Sequence, residues 1–216
     1  MCCRNLRILF VIVFVLTTAC HRSTVESPRT EARAPVYSSA QSQSAHKPEP
    51  QPTEAELRDA INRNYEGAVT IDNNQSVPFL VGDFNGDSSE DIAIIVKPAK
   101  DKLSELNGEY VNWILEDPRQ VHNPEQKKRP VTVGGDDLLL AVIHGHEREG
   151  WRSKLARQTY LLKNAVGINS QTETANQLRG NKLLPPLRGD VIREKLDGAD
   201  GVIYWTGAKY SWHPAG

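Results

Sequence analysis

Apolar and polar positions divide the chain into three regimes. An uninterrupted apolar run, Ile8 to Leu16, follows a start that carries Arg4 and Arg7. From His21 to Pro52 the residues are mainly Ser, Pro, Gln, Thr and Ala, with Val25, Val36 and Tyr37 the large apolar exceptions. Periodic patterns begin at Thr53. It stands three residues before Glu56 in a capping-box pattern, and Leu57, Ala60, Ile61 and Tyr65 then recur on one face, predicting an amphipathic helix. Ala68 to Ile71 predicts a short strand, and Val77 to Gly82 and Ile92 to Val96 predict an antiparallel pair around an acidic loop. The second of these runs is apolar without alternation, as expected of a central strand covered on both faces. Leu103, Leu106, Tyr110, Trp113 and Ile114 return to a helical stripe, ended by Asp117-Pro118, and predict a second helix over the sheet. His122 to Pro130 reads as a polar loop. Leu138 to His144 predicts another buried strand, opened by Gly134 to Asp137 and closed by Gly145, with Thr159 to Leu162 as its partner. Asn169 to Asn181 reads as a loop. Val191 to Lys195, Gly201 to Trp205 and Lys209 to Trp212 predict a terminal meander, the last two strands joined across Thr206-Gly207-Ala208. The expected architecture over residues 53–216 is a single α+β domain: a mostly antiparallel β-sheet of about eight strands with two or three covering helices.

Composition alters this picture mainly at the amino terminus. The chain has 216 residues, 25% of them charged and 38% hydrophobic, which suits one soluble domain with appendages. A net charge of −1 gives no electrostatic case for nucleic acid. The 3 cysteines are Cys2, Cys3 and Cys20, so the folded region can hold neither a disulfide nor a thiolate metal site. The run Ile8 to Leu16 is too short for a ~30 Å hydrocarbon core at ~1.5 Å per residue. With its basic start it reads as an export signal, residues 1–19. Leu16-Thr17-Thr18-Ala19-Cys20 resembles a bacterial lipobox, which implies acylation of Cys20 and anchoring in a membrane of the cell envelope, at its periplasmic face or on the cell surface. An ordinary cleaved signal ending at Ala19 is the alternative. Residues 20–52 then form a disordered tether, too polar to offset the entropy of ordering, with an r.m.s. span of roughly 30 Å.

The acidic loop carries the candidate chemistry. Asp83, Asn85, Asp87 and Asp91 fall at positions 1, 3, 5 and 9, and alternate residues of a tightly curled loop can aim several oxygens at one hard cation, the Ser89 carbonyl filling in. The loop is not a helical calcium hand, because position 12 is Ile94 and position 6 is Ser88. The stretch Gly82-Asp83-Phe84-Asn85-Gly86-Asp87, with Asp91 beyond, resembles the FG-GAP/VCBS repeat family, and the resemblance implies a calcium-binding β-hairpin with Asp83, Asn85, Asp87, Ser89 and Asp91 as ligands. Ser88 stands where the family prefers Gly. A single copy of the motif excludes a propeller. The alternative is a metal-free turn whose side chains cap backbone N–H groups.

Catalytic signals are sparser. His144-Gly145-His146-Glu147 places two histidines two apart, which could hold Zn²⁺ with Glu147 as base, but no His-Glu-x-x-His helix supplies a third ligand. No Gly-x-Ser-x-Gly elbow, P-loop or dinucleotide fingerprint occurs. Tyr204, Trp205, Tyr210 and Trp212 read as cross-strand core pairs or as a sugar-stacking platform. Lys127-Lys128-Arg129 reads as part of a solvated loop or as a contact for an anionic lipid or polymer. The expectation is a non-enzymatic, lipid-anchored envelope protein serving as a binding or interaction module for an unidentified protein or polysaccharide partner. The alternative is a periplasmic metal-dependent hydrolase using His144, His146 and Glu147.

Overall fold

A computed structural model describes residues 50–108, 111–120 and 129–215. The export signal, Cys20 and all but the last three residues of the tether lie outside the described residues, as do Tyr110 and 121–128, which include Lys127 and Lys128.

Helix α1 (Glu54–Tyr65) begins where its capping box places it: Thr53 accepts from the Glu56 N–H, and the Glu56 carboxylate accepts from the Thr53 N–H at 2.8 Å. Leu57, Ala60, Ile61 and Tyr65 are buried, as the spacing predicts. The Tyr65 hydroxyl reaches the Val142 and Tyr160 carbonyls at 3.1 and 2.9 Å, so the helix is tied to the sheet beneath it by polar contacts as well as by packing.

Among the described residues, ten strands form two mostly antiparallel sheets. The first contains β1 (Val69–Ile71), β2 (Phe79–Gly82), β3 (Asp91–Pro98), β4 (Ile114–Glu116), β5 (Leu139–Ile143) and β6 (Thr159–Lys163), in the order β1-β3-β5-β6-β4, with β2 also on β3. The second is β10-β9-β8-β7, from β7 (Gln171–Glu173), β8 (Val191–Leu196), β9 (Ala199–Trp205) and β10 (Tyr210–Pro214). Strand β3 is buried along nearly its whole length. Ile92, Ile94 and Val96 pack in the cluster that contains the α1 residues; Ala93 and Ile95 pack with Ile192, Ile203, Trp205 and Tyr210 of the second sheet. The lack of alternation noted in the sequence therefore reflects a three-layer arrangement of helix, six-stranded sheet and four-stranded sheet.

Three expectations are corrected. The helix expected from Leu103 to Ile114 is one short helix, α2 (Leu103–Leu106), preceded by a 3₁₀ turn. Asn107 ends it, its side chain accepting from the Val133 N–H at 2.7 Å and donating to the Leu103 carbonyl at 2.8 Å. Ile114 instead opens β4, which runs parallel to β6. The segment read as a loop after Asn169 contains the edge strand β7, polar because none of its side chains is fully buried. The single sheet is two sheets, since apolar runs mark burial and not the layer to which a strand belongs.

Candidate functional site

The acidic loop joins β2 to β3, with Gly82 paired to Asp91 at its base. Its shape follows from its own side chains. Asp83 Oδ1 accepts the Gly86 and Asp87 N–H groups at 2.8 and 3.0 Å, and Oδ2 accepts that of Ser88 at 2.9 Å. Asp91 Oδ2 accepts Phe84 and Asn85 N–H at 2.8 and 3.1 Å. Asp87 Oδ1 accepts the N–H of the buried Ser89 at 2.8 Å, and Oδ2 accepts the Asn85 amide at 2.8 Å. The chain turns at Gly86 (φ 78°) and Ser88 (φ 70°), both left-handed. Ser88 thus occupies a conformation that glycine adopts without steric cost.

Residues far along the chain complete the loop, and sequence reasoning missed them. Asp83 and Asp190 exchange bonds: Asp83 N–H to Asp190 Oδ2 at 3.1 Å, and Asp190 N–H to the Asp83 carbonyl at 2.7 Å. A Cβ on Gly86 would stand 2.1 Å from the Arg188 carbonyl oxygen, so the loop is pressed directly onto the segment that leads into β8. Asp91 Oδ1 accepts from Gly145 N–H at 2.6 Å, linking the loop to the end of β5. Glu90 turns to other partners: its Oε1 accepts from the Trp151 indole at 2.9 Å and from Arg152 at 2.7 Å. Only Gly145, next to an apolar run, carried any signal of this kind, because Gly permits a close approach. A Cβ there would meet the Glu90 carbonyl oxygen at 2.3 Å.

Burial governs the electrostatics. It pushes the fully buried Asp91 carboxyl up to about 7, helped by the charges of Asp87 and Asp83 and opposed by the Gly145 and Asn85 N–H groups. It also raises Asp83, against the N–H groups of Ser88 and Gly86. The oxygen-only chemistry of Asp83, Asn85, Asp87, Ser89 and Asp91 suits calcium, and a carboxylate that accepts two or three N–H groups retains lone-pair capacity. The Asn85 to Asp87 bond occupies two of these side chains with each other. Among the described residues, no group of three or more His, Cys, Asp or Glu side chains is disposed to hold a metal ion.

The two histidines have different surroundings. His144 is buried with Nε2 2.7 Å from the Tyr210 hydroxyl, and its ring lies 5.0–5.8 Å from those of Tyr160, Trp205 and Tyr210. Burial lowers its pKa to about 4, so it is neutral at pH 7. His146 is partly exposed, 3.9 Å from Glu147, beyond the end of β5. The strand geometry that would place both rings on one face ends at Ile143. Trp205 and Tyr210 belong to this buried aromatic group, whereas Tyr204 and Trp212 are partly exposed, so the four do not make one stacking surface. Comparison of the chain with protein-family models, with curated proteins and with solved structures finds no match.

Proposed function

We propose that the chain is a non-enzymatic protein of the bacterial cell envelope, lipid-anchored through Cys20, whose α+β domain is a binding module with a calcium-binding, FG-GAP-like loop at 83–91. The observation that carries the calcium reading is the charge of the loop. Asp83, Asp87 and Asp91 lie close enough for the charge of one to raise another, and no Lys or Arg among the described residues pairs with any of them. A divalent cation would supply the missing countercharge and favour the ionised form of Asp91, which burial alone disfavours. Asp83, Asn85, Asp87, Ser89 and Asp91 would hold it, the Asn85 to Asp87 bond giving way.

The non-enzymatic reading rests on the separation of the two histidine environments, since the Nε2 of His144 is engaged by Tyr210. Its test is zinc content after purification: stoichiometric zinc, lost in a folded His144→Ala, His146→Ala protein, would favour the hydrolase. Calcium is tested by melting. Calcium at ten times a dissociation constant of ~10⁻⁴ M adds about 1.4 kcal/mol. For a domain of this size that raises Tm by roughly 3–6 °C. Asp87→Ala should abolish the rise, whereas Glu90→Ala should retain it, although it lowers Tm by removing the partner of Trp151 and Arg152. A Tm that is the same in chelator and in ~5 mM calcium, well above that range, would make the loop a metal-free brace built on its own N–H groups.

A further inference from the structure

A groove of about 280 Å³ runs beside β2, lined by Pro50, Gln51 and Pro52 on one side, Phe79, Leu80 and Val81 on the other, with Glu90 at its end. Among the described residues, strand β2 pairs only with β3. The Ile95 N–H donates to the Pro78 carbonyl at 2.9 Å, and antiparallel alternation then turns Leu80 and Gly82 toward β3, and Phe79 and Val81 away from it. Of the outward groups, the Val81 carbonyl already accepts from Thr172 Oγ1 at 2.9 Å. The Phe79 N–H, the Phe79 carbonyl and the Val81 N–H have no partner among the described residues. The facing segment is a poor partner for this edge, because Pro50 and Pro52 have no N–H and only Gln51 could donate to it. One wall and the end of the groove are held by the same side chain: Arg152 donates to the Pro50 carbonyl at 2.9 Å and to Glu90 Oε1 at 2.7 Å.

We propose that the β2 edge is a strand-addition site for an extended peptide that carries an apolar side chain and, beside it, a Lys or Arg. The Phe79 N–H, the Phe79 carbonyl and the Val81 N–H supply the ladder, the groove between Pro52 and Phe79 takes the apolar side chain, and the cation meets Glu90. Charge complementarity selects that cation. One guanidinium, Arg152, serves two carboxylates, Glu56 and Glu90, so the cluster at the groove end carries a net negative charge. The strand-addition site gives the binding-module reading a partner class and rests on that reading, while neither the calcium loop nor the anchor bears on it.

The test is an amide NMR titration of the full chain carrying Cys20→Ser with acetyl-Lys-Val-Thr-Val-Lys-amide. Three parallel samples receive its fully N-methylated form, its Glu-for-Lys form, or calcium alone. Expected are saturable shifts and slowed exchange at the Phe79 and Val81 amides, with affinity reduced about tenfold or more by N-methylation, as one lost buried bond implies, and reduced again in the Glu form. Unmoved Phe79 and Val81 amides at millimolar peptide, or equal binding of the methylated or the Glu form, would overturn the proposal. Calcium is read separately at Gly86, Asp87 and Ser88. A partner recovered from native envelope despite a failed peptide titration would refute strand addition alone, and recovery of none would count against the module reading itself.

Discussion

His144→Phe should reveal how much of the acid sensitivity of this domain resides in one buried ring. Burial lowers the His144 pKa from 6.5 to about 4. A group whose folded pKa is depressed takes up its proton first in the unfolded chain, so its stabilising contribution is complete above about 6.5 and is lost as the pH falls toward 4. The difference of 6.5 − 4 = 2.5, at about 1.4 kcal/mol per unit, makes the loss about 3 kcal/mol at pH 4. At pH 5.5 it is about 1.4 kcal/mol. Phenylalanine keeps the aromatic packing against Tyr160 and Trp205 but leaves the Tyr210 hydroxyl without its partner, at a cost of about 1–3 kcal/mol that does not change with pH. Urea unfolding of both proteins in chelator at pH 7, 5.5 and 4 separates the two effects. The wild type should be the more stable at pH 7, and its advantage should fall by about 3 kcal/mol by pH 4, equivalent to roughly 6–12 °C in Tm. An advantage that stays constant to within ~0.5 kcal/mol across this range would mean that His144 is solvated in the folded state, contrary to its buried position.

Ser88→Gly should stabilise the domain by up to about 1 kcal/mol, read in thermal melts, because the left-handed backbone at Ser88 suits glycine and the gain is partly offset by entropy of the unfolded chain. Gly86→Ala should cost more than about 2 kcal/mol, since its Cβ would lie 2.1 Å from the Arg188 oxygen in a left-handed turn; a loss below 1 kcal/mol would show that the contact yields. Cys20→Ser should move the protein from the detergent phase to the aqueous phase, and equal partitioning of the two forms would exclude the lipid anchor.

The legibility of the fold varied with the range of the interaction that decides each element. Helix α1 is written locally, in the Thr53 and Glu56 pair and the Leu57 to Tyr65 stripe, and both are present as read. The double-sided burial of β3 was visible in Ile92 to Val96 because a strand with no polar side has no solvent to face. The second helix failed where a local stripe was cut by a distant partner: Asn107 is held by Val133, and Ile114 pairs with Tyr160. Strand β7 was illegible because Gln171, Thr172 and Glu173 carry no apolar signal, and its position depends on β8. In the loop, the acidic spacing was readable, but Asp190 and Gly145 act from other elements and have no spacing that refers to Asp83 or Asp91.

The reciprocal bond between Asp83 and Asp190 spans 107 positions of sequence. A chain that emerges amino end first therefore makes the acidic loop long before it makes the residues against which the loop rests. Until the segment 188–190 arrives, Gly86 has nothing opposite it, and Asp83 has an unmet N–H and carbonyl. Maturation of the loop is thus a late event in the biogenesis of the molecule, timed by completion of its last third. A ribosome-bound intermediate would carry an unfinished loop, and an ion could act on it as a final lock but not as an early nucleus.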